Sequence, residues 1–398
     1  MKRVRGLNLL RLASWGLLSW GCGGATPKQP EASLQEPPVP EVTAAELFER
    51  GPHAVGFRTT TVTYDPVGPA DARSLALRIW YPAVAGSEGP ADYQVGGIVA
   101  VPSEGALAEP EPARGGSRSP FIRMGGEGLL AYPYAELFAS HGWVVVAANH
   151  TGNTAIDNIR KKLDPFATVV VNRPHDVSAV IDWVASDLSR DLPGLVADTD
   201  AVFLFGHSIG GFTTFAGAGV DLDVVSLAAD CTEPNCAIYA DPEVARALTS
   251  FGDPRVVAIA PQAPALVASY QLGALAALEV PTLLQSGRRD VTLRDEEQAR
   301  PAWAGLDHPS DLWVELPEGG HLSFITLCDD LDPRLMEGFQ ANARDNGCGP
   351  DFVPVAQAVR ALAAYLLGFA RLHVLGEEGW RPLLSGEPLD PAVVVTTR

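Results

Sequence analysis

The sequence is poor in basic residues: lysine and arginine total 29, against 48 aspartates and glutamates, and the net charge is −19. A nucleic-acid partner would require a basic face, and no such face is evident along the chain. Internal repeats and a mid-chain linker are also missing, so we expect one large α/β domain with appendages rather than two equal domains. With 46% hydrophobic and 19% charged residues, the chain can bury a large core.

Cysteine is scarce as well, with five residues in the whole chain. No C-x-x-C pair is accompanied by a second such pair or by histidines, so we expect no structural zinc site. Apart from Cys22, the cysteines form an even set in segments that resemble loops. The simplest of the three connectivities pairs Cys231 with Cys236 and Cys328 with Cys348, which fits an exported protein.

The first 22 residues have the features of an export signal. A basic start precedes the apolar stretch 12–20, which is too short to span a membrane, and small residues follow it. Cys22 resembles the lipidated cysteine of a bacterial lipoprotein, although Trp20 is bulky and the usual leucine is displaced to Leu18. Ordinary signal cleavage nearby, or a frayed N-terminus of a cytosolic enzyme, is the alternative. Residues 23–55 are rich in Pro, Glu and Ala and predict a flexible tether, so we expect an envelope lipoprotein or a secreted protein.

A serine between glycines is the most informative local pattern. The apolar run 201–205 leads into Gly206-His207-Ser208-Ile209-Gly210, and apolar residues at helical spacing follow. A strand that turns sharply into a helix strains the residue at the bend, and glycines give the neighbouring backbone room. The hydroxyl of Ser208 would then stand at a helix N-terminus, where the Ile209 N–H can stabilise an oxyanion. This is the G-x-S-x-G nucleophile elbow, which resembles that of the α/β-hydrolases; a plain glycine-rich turn is the alternative.

Strands alternate with helices after residue 120, which predicts a mostly parallel central sheet with helices on both faces. We therefore expect the α/β-hydrolase fold over residues 56–375, with an insertion at 221–254 near the active site and a C-terminal extension at 376–398. The predicted strands are 57–64 and 75–81 (antiparallel edge strands), 120–124, 143–148, 201–207, 256–260, 282–285 and 312–316. The predicted helices are 134–141, 174–188 and 355–372, and residues 84–118 are expected to form a loop.

A serine nucleophile needs a base and an acid, which follow it in this fold in the order Asp or Glu, then His, each after a strand. Asp290 follows strand 282–285, with Asp295 as its nearest rival and pairing with Arg288 or Arg289 as the alternative role. His321 follows strand 312–316 and is the predicted base. The competing histidines are less suitable: His308 lies before the last strand, His373 lies past the last helix, and His150 ends a strand but precedes the serine. His207 is expected to pack or orient locally.

The second oxyanion donor should come from the loop after strand 120–124. There we predict Gly126, with Gly125 as the alternative, because glycine lets backbone N–H groups approach the substrate closely. A simple turn is the competing interpretation. No metal or organic cofactor is expected; the acidic residues Asp329, Asp330 and Asp332 could bind calcium, but a solvated acidic loop is the preferred interpretation.

Longer segments make the resemblance to the α/β-hydrolases more specific. Residues 135–145, 149–154, 173–177, 253–256 and 280–283 resemble the dienelactone hydrolase-like branch, which also holds the platelet-activating factor acetylhydrolases. Met124 stands where relatives usually carry the histidine of a His-Gly-x-Gly loop, and dienelactone hydrolase itself uses cysteine where Ser208 stands.

This resemblance implies a serine hydrolase that cleaves carboxylic esters through an acyl-enzyme, with a small-molecule or lipid ester as substrate. Hydrolysis of lactones, amides or short-acyl phospholipids is one alternative. A surface-tethered binding protein that keeps the fold without turnover is the other.

Overall fold

A computed structural model describes residues 42–68, 72–86, 88–95, 99–114, 120–125, 128–233, 235–249, 251–331 and 342–398. These residues belong to one compact unit, Pro40–Arg398. The predicted export signal, Cys22, most of the predicted tether, Gly126 and Asp332 lie outside the described residues.

The described strands form one mixed sheet of eleven strands in the order β11-β10-β9-β8-β7-β5-β6-β2-β1-β4-β3. Strands β6, β5, β7, β8, β9 and β10 pair in parallel, and so do β1 and β4. The antiparallel pairs are β1–β2, β2–β6, β3–β4 and β10–β11. The strands are β1 Ala54–Tyr64, β2 Arg73–Ala83, β3 Pro90–Val95, β4 Val99–Ala108, β5 Pro120–Gly125, β6 Val144–Asn149, β7 Val202–His207, β8 Val256–Gln262, β9 Leu283–Gly287, β10 Leu312–Leu316 and β11 Val394–Thr397.

Helices cover both faces of this sheet. The described α-helices are α1 Ala45–Phe48, α2 Tyr132–Ser140, α3 Ala155–Ile159, α4 Phe166–Ser186, α5 Leu188–Asp191, α6 Ile209–Gly217, α7 Val224–Asp230, α8 Pro242–Ala247, α9 Ala299–Gly305, α10 Leu327–Asp330, α11 Val355–His373 and α12 Arg381–Leu384. Among the described residues, only α11 is long and apolar enough to cross a membrane, and 78% of its apolar window is buried inside the structure.

Strand β7 shows how the sequence builds two cores. Its residues are all buried, as expected for a parallel strand covered on both faces. Because side chains alternate across a strand, Phe203 and Phe205 join the core that contains α2 and α11, while Val202 and Leu204 join the core that contains α4 and α6. The alternating βα order therefore places the loops that carry Ser208, Asp290 and His321 at the carboxyl edge of the sheet.

Three sequence-based expectations of regular structure need correction. Residues 84–118 contain β3 and β4 rather than a loop alone, so the outer edges of the sheet are β3 and β11 and not the strands at 57–64 and 75–81. Helix α4 begins at Phe166, eight residues before the expected start, and carries Pro174 in its interior. Burial of Val170 and Val171 in the core outweighs the weak helix propensity of valine and the backbone hydrogen bond that proline cannot make.

The compact unit also extends beyond residues 56–375. Helix α1 lies in the segment expected to be tether, and its Leu47 is fully buried against α11. In the segment expected to be an extension, Trp380 is fully buried and β11 pairs with β10. The insertion at 221–254 contains α7, α8 and a 3-10 turn, Cys236–Ala240.

Candidate active site

Ser208 occupies a strained bend between β7 and α6. Its φ of 61° and ψ of −122° lie in a region that a residue with a side chain rarely adopts. A Cβ on Gly206 would stand 2.2 Å from the Gly210 carbonyl oxygen, and a Cβ on Gly211 would stand 2.7 Å from Cα of Pro264. Glycine at 206 is therefore required for the close approach of strand and helix, as the elbow interpretation predicts, and Gly211, which that interpretation did not single out, is required for the approach of the neighbouring loop.

The backbone of Ser208 is fixed by the strand beside it. Its N–H donates to the Gln262 carbonyl at 2.9 Å, and its own carbonyl accepts from the Ala265 N–H at 3.1 Å and from the Gly211 N–H at 2.8 Å. These hydrogen bonds hold the strained conformation in place, so the hydroxyl has a defined direction.

The structure brings Ser208, His321 and Asp290 together in one hydrogen-bonded chain. His321 Nε2 lies 3.1 Å from Ser208 Oγ, and His321 Nδ1 lies 2.7 Å from Asp290 Oδ2. The other carboxylate oxygen of Asp290 accepts from the backbone N–H groups of Thr292 at 2.8 Å and Leu293 at 2.7 Å. Asp290 and His321 are both 5% exposed, so water competes little for these contacts.

His207 packs beside the imidazole of His321. Its Nε2–H donates to the His321 carbonyl at 2.9 Å, and its ring centroid lies 4.6 Å from that of His321. On its other side the ring stacks on Phe324. These contacts agree with the expected local, orienting role of His207.

In the described part of the chain, the rival residues are bound to partners other than Ser208. Asp295 is bound by Arg300 at 2.6 Å and by the hydroxyl of Ser286. His308 lies before β10 and accepts a hydrogen bond from the Ser310 N–H, and His373 packs against Phe369 at the end of α11.

His150 follows β6 and belongs to a separate buried pair. Its Nδ1 lies 2.5 Å from Asp176 Oδ2, and Asp176 is also bound by Arg73 at 2.7 Å. Burial and the charge of Arg173 lower the pKa of His150 to about 4, against the raising effect of Asp176. Burial acts to raise the pKa of Asp176, but its contacts with His150 and Arg73 lower it to about 2.

The oxyanion donors are described in part. Ile209 is the first residue of α6, where backbone N–H groups have no partner within the helix. Gly126 lies outside the described residues, and Gly125 is the last residue of β5, paired in register with Asn149. The side-chain oxygen of Asn149 accepts from the Gly128 N–H at 2.8 Å and so holds the far side of this loop.

A cavity of about 430 Å³ opens at the same edge of the sheet. Its walls come from segments that follow β6, β8 and β9 and from the insertion, including Phe166, Leu266, Gln298, Leu227 and Tyr239. Leu266 directly follows Ala265, whose N–H is bound to the Ser208 carbonyl, so one wall of the cavity begins next to the elbow, although none of Ser208, Asp290 and His321 is among the described lining residues. Asp230 and Glu233 also line this cavity and give it acidic character.

The cysteines pair as the simplest connectivity predicts: Cys231 with Cys236 and Cys328 with Cys348, at Cα–Cα distances of 5.7 and 5.4 Å. Asp330, one of the acidic residues that could bind calcium, accepts hydrogen bonds from the hydroxyls of Tyr132 and Thr326. Within the described residues no group of three histidine, cysteine or acidic residues is arranged to hold a metal.

No family profile and no curated protein sequence matches this chain. Among solved structures, the chain is similar to a ferulic acid esterase from Streptomyces cinnamoneus, with a TM-score of 0.60 and 24% identity. The match covers 86% of this chain and 96% of the esterase. The two proteins share a fold. The fold predicted from the sequence, the α/β-hydrolase fold, is thereby confirmed, whereas the branch related to dienelactone hydrolase and the acetylhydrolases stays a prediction.

Sequence reasoning missed one buried residue at this site, Asn346. It contacts the loops of both Asp290 and His321, yet it lies in an irregular segment without a motif. The nearby Cys348 was the one available signal, because a disulfide marks a segment that is held against the domain.

Proposed function

We propose that this protein is a serine hydrolase that cleaves carboxylic esters, with Ser208 as nucleophile, His321 as base and Asp290 as the acid that orients it. The observation that carries the proposal is the hydrogen-bonded chain from Ser208 Oγ through the imidazole to Asp290 Oδ2. Nucleophile and base at hydrogen-bond distance, with the base held by a third group, is the arrangement that activates a serine.

The proposed reaction has two acyl-transfer steps. Ser208 Oγ bonds to the ester carbonyl carbon while its proton passes to His321 Nε2, and the carbonyl electron pair moves to oxygen. The N–H groups of Ile209 and Gly126 stabilise that oxyanion. Its collapse breaks the bond to the alcohol, which leaves with the proton from His321. Water then repeats the sequence on the acyl-enzyme and releases the acid.

Asp290 has a defined task in this scheme. Its carboxylate accepts from His321 Nδ1, which leaves Nε2 free of a proton and directed at Ser208. The imidazolium that forms during the reaction is then stabilised by the neighbouring negative charge.

The cavity beside the elbow favours neutral substrates with an apolar or aromatic group. Phe166, Leu266 and Tyr239 supply apolar surface, while Asp230 and Glu233 repel anions. A structural relative that acts on esters of ferulic acid, an aromatic acid, makes aromatic acyl esters a reasonable first class to test.

We also propose that the protein is exported, by the signal predicted in residues 1–22, with Cys22 as the lipidation site. Its two disulfides support this placement, because disulfides persist in oxidising compartments.

A fluorophosphonate probe and a panel of p-nitrophenyl esters of graded chain length test the activity. We expect the probe to label the folded protein and the label to disappear in Ser208→Ala, while Ser186→Ala, an exposed serine on α4, keeps it. Folded protein that neither takes the label nor hydrolyses any ester would refute the proposal and favour a binding protein. Hydrolysis that survives in Ser208→Ala would refute the assignment of the nucleophile.

A further inference from the structure

The segment 342–353 packs against the two loops that carry Asp290 and His321, and Asn346 is fully buried between them. We infer that Asn346 is a positioning residue that sets the geometry of Asp290 relative to His321, and that the Cys328–Cys348 disulfide keeps it in place. This inference rests on the proposed function, because it concerns the base of the proposed hydrolase.

The side-chain amide of Asn346 joins both loops directly. Its oxygen accepts from the His321 N–H at 3.0 Å and from the Val291 N–H at 3.1 Å. Its nitrogen donates to the Thr292 hydroxyl at 2.7 Å. A single planar amide therefore ties the backbone of the base to the two residues that follow Asp290.

These contacts close a ring of hydrogen bonds. Asp290 holds the imidazole of His321 through one oxygen and the Thr292 N–H through the other. Asn346 completes the ring, because it bonds the backbone of His321 on one side and Thr292 on the other. The distance between the carboxylate and the imidazole is thus fixed twice, once by their own hydrogen bond and once through Asn346.

Backbone contacts leave this segment little freedom. The Asn346 carbonyl accepts from the Leu322 N–H at 2.9 Å. A Cβ on Gly320 would stand 2.4 Å from the Asn346 carbonyl carbon, and a Cβ on Gly347, whose φ is 121°, would stand 2.7 Å from the Ser323 nitrogen. Glycines at both faces of the contact allow the two chains to approach without side chains between them.

The disulfide closes the chain around this contact. Cys348 lies two residues after Asn346, and its partner Cys328 follows the His321 loop. Both cysteines pack against a small apolar cluster of five buried residues, which are Leu322, Ile325, Leu327, Leu331 and Ala343. The covalent bond therefore anchors the segment to the loop of the base rather than to a distant part of the domain.

Steady-state kinetics of Asn346→Ala test the role. Removing the amide releases both loops, and a misplacement near 1 Å lowers turnover about a hundred-fold. We expect kcat to fall while KM stays close to its original value. We also expect the acid limb of the pH profile of kcat/KM to move to lower pH, because the imidazolium of His321 loses its alignment with the Asp290 carboxylate. A merely structural role would lower the fraction of enzyme that the fluorophosphonate probe titrates without moving that limb.

Further variants keep the inference testable if Asn346→Ala does not fold. Thr292→Val removes the hydroxyl that accepts from Asn346 but keeps the backbone N–H that holds Asp290, so we expect a smaller change of the same kind. Asn172→Ala, at a buried asparagine on α4, is the control for stability alone. Unchanged kcat and an unmoved acid limb in both Asn346→Ala and Thr292→Val would overturn the inference.

The role of the Cys328–Cys348 disulfide can be tested with the second disulfide, Cys231–Cys236, as a matched control. Cys328→Ser with Cys348→Ser should lower kcat and move the acid limb as Asn346→Ala does, and combining these changes should give less than the sum of their effects, because they act on one contact. In the control, Cys231→Ser is combined with Cys236→Ser. Because Cys231 lines the cavity, this double variant can change KM, but it should leave the acid limb of the kcat/KM profile in place. Additive effects, or equal shifts from both cystines, would refute the role of Cys328–Cys348. Failure of the proposed function is a separate outcome, since it would show as absent turnover in the unmodified protein.

Discussion

The exchange of Asp290 for asparagine gives the sharpest test of the site. One oxygen of Asp290 accepts from two backbone N–H groups, of Thr292 and Leu293, and only an oxygen can satisfy both. In Asp290→Asn the amide oxygen must therefore stay on that side, which turns the NH₂ group toward His321 Nδ1. Because NH₂ can only donate, the imidazole is driven to the tautomer with its proton on Nε2, and it then has no lone pair for the Ser208 proton.

Under the proposed function, the expected loss of turnover is large because this exchange should disable the proposed base, His321, without changing the fold. The same exchange in a serine protease triad lowers kcat roughly ten-thousand-fold, which corresponds to about 5.4 kcal/mol of transition-state stabilisation. We expect a loss of this order for p-nitrophenyl ester hydrolysis, with KM little changed. Asp295→Asn is the matched control, since Asp295 is also buried in the same loop region but is bound by Arg300 and Ser286. A kcat within tenfold of the original in Asp290→Asn would refute the reasoning.

Three further predictions concern the elbow, the acid stability and the cavity. Gly206→Ala places a Cβ 2.2 Å from the Gly210 carbonyl oxygen and should lower the free energy of unfolding by about 1–3 kcal/mol; turnover should fall as well, and unchanged urea unfolding would contradict the required close approach. Burial lowers the pKa of three histidines, His150, His175 and His373, to about 4. Between pH 6.5 and 4 the unfolded chain therefore binds protons that the folded protein does not, and the free energy of unfolding should fall as the pH falls through that range. A free energy of unfolding that does not change with pH there would contradict this prediction. Phe166→Ala, in the wall of the cavity, should raise KM for aromatic esters more than for acetyl esters and leave kcat for acetyl esters unchanged; an equal rise for both would place the acyl group elsewhere.

The positions of Ser208, Asp290 and His321 could be predicted because their signals are local. The elbow is readable because Gly206, Ser208 and Gly210 stand at fixed offsets between an apolar run and a helical pattern. Asp290 and His321 could be selected because each follows a predicted parallel strand, and such strands end at one edge of the sheet. Their convergence on Ser208 matches that expectation.

The failures come from interactions that no short window contains. Strands β3 and β4 lie in a stretch rich in glycine, proline and alanine, whose strand propensity is weak, and they are formed by their pairing with each other and with β1. Pro174 reads as a helix start, yet core packing carries α4 through it. Strand β11 had a signal in its run of valines and threonines, but its place became clear only from its pairing with β10. Asn346 lies in no motif, and Cys348 nearby marks only that the segment is held against the domain; the contacts of Asn346 depend on two loops that precede it in the chain.

The order of the strands has a consequence for when the protein acquires chemical competence. Ser208 and His321 lie 113 residues apart in sequence, and the sheet order places β8, β9 and β10 beside β7 between the two residues in the chain. Contacts between distant parts of a chain form late, because the loop-closure entropy must be overcome first. Under the proposed function, an incompletely folded chain would thus carry an ordinary, unreactive hydroxyl at position 208, and the serine would become a nucleophile only when folding is complete.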